Sequence, residues 1–332
     1  MVTLLFLLLL LLVILPRIVG GTRVRLLWLL TFLTTGCSRP VPARPVNRAI
    51  QLVAAVRSDS AAVVQQLLDT GVSPDTLASD GTRPLTEAAR HGRIEAARVL
   101  LDAGARLDLA DSSGVRPFDY AIEEGHRAIA MLFTREAARD AGASAEAMAW
   151  FDSIATDRRP AQDWRRFLDG EIASLAVMAA VLARREDAVT ALRHAAGIPN
   201  RTSYAALAVA ARFGDEAAVA DLLQASVNPD VEVSGHRHET PLMEAARDGY
   251  SAIARRLIRA GARIDHVDSG GETALVWAVR AGETDYARAL LDAGANPAWR
   301  DLAGQTALDI ARDAKHADLI ALLEARTRRV KS

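Results

Sequence analysis

The chain has 332 residues, 40 basic and 41 acidic side chains and a formal charge of −1. That balance excludes the basic stripe with which a nucleic-acid binder displaces phosphate counterions, so no nucleic acid is expected as a partner. A single cysteine, Cys37, excludes an internal disulfide and a cysteine-built zinc site.

The N-terminal residues read as an address rather than as part of a fold. Leu4 to Leu15 is an unbroken apolar run of 12 residues, ended by Pro16 and Arg17. A second run, Leu26 to Leu33, follows Arg23 and Arg25. Each is shorter than the roughly 20 residues a membrane-spanning helix needs, and each has the length of a signal-peptide core. The second run leads into Leu33-Thr34-Thr35-Gly36-Cys37-Ser38, which resembles the lipobox of bacterial lipoproteins, although Thr34 stands where leucine is usual. By that resemblance residues 1–36 are a signal peptide or membrane segment, and Cys37 is acylated as the new N-terminus. A start at Val19 would give an ordinary signal with Arg23 and Arg25 as its basic flank. The alternative keeps Met1 and makes residues 4–33 a kinked membrane anchor. Either reading places the remainder outside the cytoplasm, in a bacterial cell envelope and facing the periplasm. Ser38 after the cysteine favours the outer membrane. Residues 37–46 contain Pro40, Pro42 and Pro45, and proline fixes φ and removes donors, so an extended tether is expected there.

Beyond the tether the sequence repeats. Gly81-Thr82-Arg83-Pro84-Leu85 recurs as Gly114-Val115-Arg116-Pro117-Phe118, 33 residues on. Glu239-Thr240-Pro241-Leu242 recurs at the same interval as Glu272-Thr273-Ala274-Leu275 and Gln305-Thr306-Ala307-Leu308. In phase with these, Leu100-Leu101-Asp102-Ala103-Gly104-Ala105 matches Leu290-Leu291-Asp292-Ala293-Gly294-Ala295. The physical roles agree with a pair of helices per unit. Proline suits a helix start; Thr240, Thr273 or Thr306 can cap free amides; Ala88-Ala89 and Ala245-Ala246 allow close approach. Gly104, Gly261 and Gly294 supply the left-handed residue that ends a second helix.

These landmarks resemble the ankyrin repeat. The resemblance implies an all-α solenoid of paired antiparallel helices with finger loops, in an N-terminal array (47–141) and a C-terminal array (203–332). Residues 142–202 fit the pattern badly. Ala179 to Asn200 reads as a degenerate repeat, whereas 142–176 has helical periodicity around Trp150, Phe151, Ile154, Trp164, Phe167 and Leu168. Divergent repeats and a helical insertion both remain open.

Family partners are held on finger tips and on the first-helix face, which here implies Asp80, Thr82, His91, Ser113, Asp248 and Arg300. Glu239, Glu272, His236 and Arg237 fall on the same side. Arg90, Arg247 and Arg280 recur at one first-helix position, with Glu123 in their place in the third repeat. A row of guanidiniums could clamp carboxylates; the alternative is that each pairs with an acid of the adjacent repeat. Trp277 and Tyr120 occupy equivalent first-helix places, and Trp277 is a candidate hot spot. His236 and His238, near Glu239, fall short of the three or four ligands a metal needs. No nucleotide loop or catalytic motif is present, so no cofactor and no catalysis are expected. The sequence therefore reads as a monomeric, membrane-tethered scaffold that binds a protein partner. An immunity or inhibitor protein restraining an envelope toxin is the alternative, and an enzyme using 142–202 is a remoter one.

Overall fold

The computed structural model describes residues 48–154, 170–195, 200–232 and 238–330. The two apolar runs, Cys37 and the proline tether lie outside them, as do His236, Arg237, Trp164, Phe167 and Leu168. Among the described residues the ordered structure is helical, with two isolated bridges, Val267–Thr273 and Arg300–Thr306, in finger loops.

The helices fall in pairs. α1 (Arg48–Arg57) precedes α2 (Ala61–Asp69), α3 (Pro84–Arg90) precedes α4 (Ile94–Asp102), and α5 (Pro117–Glu123) precedes α6 (Arg127–Asp140). A single helix, α7 (Ala145–Ser153), follows. The pairs resume with α8 (Gly170–Leu182) and α9 (Glu186–Ala195), α10 (Asn200–Arg212) and α11 (Glu216–Gln224), and α12 (Pro241–Ala246) and α13 (Ser251–Arg259). α14 (Ala274–Ala281) with α15 (Thr284–Asp292) and α16 (Ala307–Asp313) with α17 (Ala317–Val330) complete them.

Up to α6, and again from α8 onward, first helices stack on first helices and second on second, while at the junction α8 packs on α6, so each unit packs mainly on its neighbours. The side-chain pattern dictates this. In α13 the buried residues are Ile253, Ala254 and Leu257, while Arg255 and Arg259 face water. That is the apolar stripe of a helix covered on one side. α8 differs. Every residue from Ala176 to Leu182 is buried, because its circumference is apolar and α6, α9 and α10 surround it. Residues 170–195 are thus a packed helix pair rather than an appendage, and α7 is the additional element, lying against α6.

The turn between paired helices needs a positive φ. Gly92, Gly125, Gly214, Gly249 and Gly282 supply it, and Asp59, Arg184 and Lys315 adopt it at the equivalent places, with φ of +55°, +54° and +60°. Gly214 is doubly constrained: a Cβ there would lie 2.6 Å from the Tyr250 ring. The predicted left-handed ends of second helices occur at Gly104, Gly261 and Gly294. Capping matches the expectation in part. Thr240 accepts from the Met243 amide and Thr306 from that of Asp309. Thr273 makes no such bond; its buried hydroxyl has no hydrogen-bond partner, and α14 starts without a side-chain cap.

Candidate functional site

Counting back two residues from each inter-helix turn gives Arg57, Arg90, Glu123, Leu182, Arg212, Arg247, Arg280 and Asp313. Five of these eight are arginine, so the row is longer than the threonine-proline landmarks revealed. Arg57 and Arg212 were missed because their helices lack that landmark; the left-handed turn residue would have aligned them.

The row is built twice. In the first array Arg57 contacts Glu87 at 2.5 Å, Arg90 lies 3.7 Å from the same carboxylate, and the Arg90 guanidinium sits 4.3 Å from the Tyr120 ring centroid. The Tyr120 hydroxyl donates to Asp111 at 2.8 Å. In the second array Arg212 lies 3.8 Å and Arg247 3.5 Å from Glu244, and Arg247 sits 4.4 Å from the Trp277 ring centroid. The Trp277 indole N–H donates to Asp268 at 3.0 Å. Glu87, Arg90, Asp111 and Tyr120 each stand 157 positions before Glu244, Arg247, Asp268 and Trp277. The two arrays are copies of one polar ladder, in which guanidinium, carboxylate and aromatic ring alternate between adjacent repeats.

The copies meet at Glu123. Its backbone carbonyl accepts from Arg212 at 2.9 Å, and its carboxylate lies 3.4 Å from Arg247. α5 therefore touches α10 directly, although α6, α7, α8 and α9 intervene in sequence. An acid rather than arginine at 123 has a physical reason: it faces two guanidiniums of the second array.

Among the described residues, none of the predicted arginines stands free. Arg247 also lies 3.6 Å from Glu239, and Arg280 contacts Glu272 at 2.5 Å and Asp301 at 3.7 Å. Asp248 pairs with Arg212. Away from this cluster, Asp80 accepts from Thr82, which holds its carboxyl below the usual range. His91 bonds Glu87 at 3.0 Å, Ser113 is exposed beside Asp111, and Arg300 donates to the Gly304 carbonyl. His238 pairs with Glu232 at 2.5 Å. Among the described residues no group of three or more His, Cys, Asp or Glu is arranged to hold a metal ion.

The second copy encloses an open groove of about 670 Å³, lined by Glu123, Arg212, Glu239, Arg247, Asp248, Asp268, Glu272, Trp277 and Arg280. Behind its wall lies Glu244, 2% exposed. Burial pushes this carboxyl up to about 8, against the pull of Arg247 and Arg212 and with the help of neighbouring Glu239.

Paired helices stacked by neighbour contacts, with finger loops along one side, define a tandem-repeat solenoid. The model of ankyrin repeats in three copies matches residues 52–142, 177–269, 207–301 and 242–329, and the chain belongs to the ankyrin-repeat family. Its match from residue 177 takes in the end of α8 and the whole of α9. No curated protein matches the chain. Ankyrin repeats serve protein–protein interaction, and that role extends to this chain.

Proposed function

We propose that the protein is a non-catalytic scaffold of the bacterial cell envelope, anchored by a lipid on Cys37, that holds a protein partner in the groove around Trp277. The groove carries this reading: it joins a half-buried tryptophan to charged side chains from α5, α10 and α14 and from the segments flanking α12 and preceding α14, the amphipathic composition of interface hot spots. The anchor rests on Thr35-Gly36-Cys37-Ser38 after the apolar run. The proline-containing residues 37–46 are proposed to space the repeats from the membrane, and the protein is proposed to act as a monomer.

A photo-cross-linking residue placed at Ser269 in the native host tests the proposal, with Asp285 on the helix-turn side as control. One polypeptide cross-linked from 269 and not from 285, and lost with Trp277→Ala, is expected. Equal labelling from both positions overturns the groove assignment. In the same strain Cys37→Ala should move the protein from the membrane to the soluble fraction; unchanged sedimentation with membranes removes the lipid anchor.

A further inference from the structure

The two copies of the ladder separate what the fold needs from what the groove adds. Both contain the buried glutamate, the arginine, the ring and the finger aspartate. They differ at the mouth. Asp248 stands where the first copy has His91, and Glu272 where it has Val115. The first copy packs its helices without either carboxylate, so neither is required to form a repeat.

Both acids lie where a ligand can reach them. The Asp248 side chain is 47% exposed, and Glu272 is 20% exposed on the same groove. Charge at the groove is unbalanced: five carboxylates against three guanidiniums line it. Those guanidiniums are each engaged by carboxylates within 4 Å. Glu244 lies behind them, and its buried Oε2 lacks a hydrogen-bond donor. An anion entering here would meet an excess of like charge and arginines already paired. A cation would find two reachable carboxylates and the negative face of an indole.

We propose that the groove around Trp277 receives a basic segment of the partner, an arginine or lysine side chain seated between Asp248 and Glu272. This rests on the reading of the groove as the partner site and gives that site its chemistry. It reverses the role expected of the arginine row: Arg212, Arg247 and Arg280 hold the acids in place, and the acids face the partner.

The test uses the full chain in detergent, labelled with 5-fluorotryptophan, with the Trp277 resonance assigned by Trp277→Phe. Acetyl-hexa-arginine amide and acetyl-hexaglutamate amide are the probes. Hexa-arginine should shift the Trp277 resonance saturably, and hexaglutamate should not. The double variant Asp248→His/Glu272→Val, which installs the first copy's residues, should weaken binding at least tenfold. Asp285→Asn/Asp318→Asn, on the helix-turn side, should leave it unchanged. Should the double variant fail to fold, Asp248→Asn alone should weaken binding about threefold. A shift with hexaglutamate, no shift with hexa-arginine, or equal affinity in a folded groove variant overturns the inference. If Ser269 cross-links an envelope partner while hexa-arginine fails to bind, the basic-segment inference falls and the scaffold reading stands. If hexa-arginine binds and no partner is cross-linked, the groove's preference for a basic segment stands and the scaffold reading falls.

Discussion

The ladder at Glu87 and the ladder at Glu244 use the same residues in different surroundings. Glu87 accepts a close contact from Arg57, whose side chain is 47% exposed, and a bond from His91. Glu244 is flanked by Arg212, only 12% exposed, and by Arg247, neither of which donates to its Oε2. The first copy lies near the N-terminal end of the stack, where water reaches its arginine. The second lies in the interior, where Glu123 and α10 close over it. One sequence pattern thus yields a buried glutamate with close donors at one place and, at the other, an equally buried glutamate whose flanking guanidiniums do not donate to its Oε2, so that pairing does not compensate desolvation.

Removing the two arginines should separate the copies most. Arg212→Ala is expected to cost about 3 kcal/mol, since it leaves Asp248 without its partner, Glu244 with Arg247 alone and the Glu123 carbonyl without its donor. Arg57→Ala should cost about 1 kcal/mol, because Arg57 is itself 47% exposed and Glu87 keeps Arg90 and His91 beside it. Urea denaturation measures both, and equal costs would break the contrast.

The next effect is a pH dependence. The folded chain binds the Glu244 proton more tightly than the unfolded chain, whose glutamate titrates near 4.5. Stability contributed by that proton is present at low pH and is lost as pH rises from about 4.5 to about 8. The slope from one such group is at most about 1.4 kcal/mol per pH unit. Glu244→Gln should flatten this decline and stabilise the protein at pH 8, whereas Glu87→Gln should destabilise it by removing the anion that Arg57 contacts. A wild-type stability that rises over this window would contradict the buried, proton-binding state of Glu244.

The smallest effect sharpens the equivalence. Tyr120→Phe removes the hydroxyl that donates to Asp111, and Trp277→Phe removes the indole N–H that donates to Asp268. Each should cost about 1.5 kcal/mol, the value of a hydrogen bond to a charged acceptor. Thermal unfolding of both variants should agree closely; a difference above about 1 kcal/mol would mean the aromatic positions are not interchangeable parts of one ladder.

The sequence by itself determined the repeat, its period, the proline starts of α3, α5 and α12, and the left-handed glycines at 104, 261 and 294. All are local requirements, satisfied within one or two units. It also placed Tyr120 and Trp277 in register. Only the tertiary structure decided that α8 is enclosed, that α5 meets α10 across the helices between them, and that Glu123 therefore receives Arg212 and Arg247. Those contacts join residues 89 and 124 positions apart, a distance no local pattern spans. The excess of carboxylate at Trp277 arises the same way: charges separated along the chain count together only when packing brings them to one groove and removes the water between them.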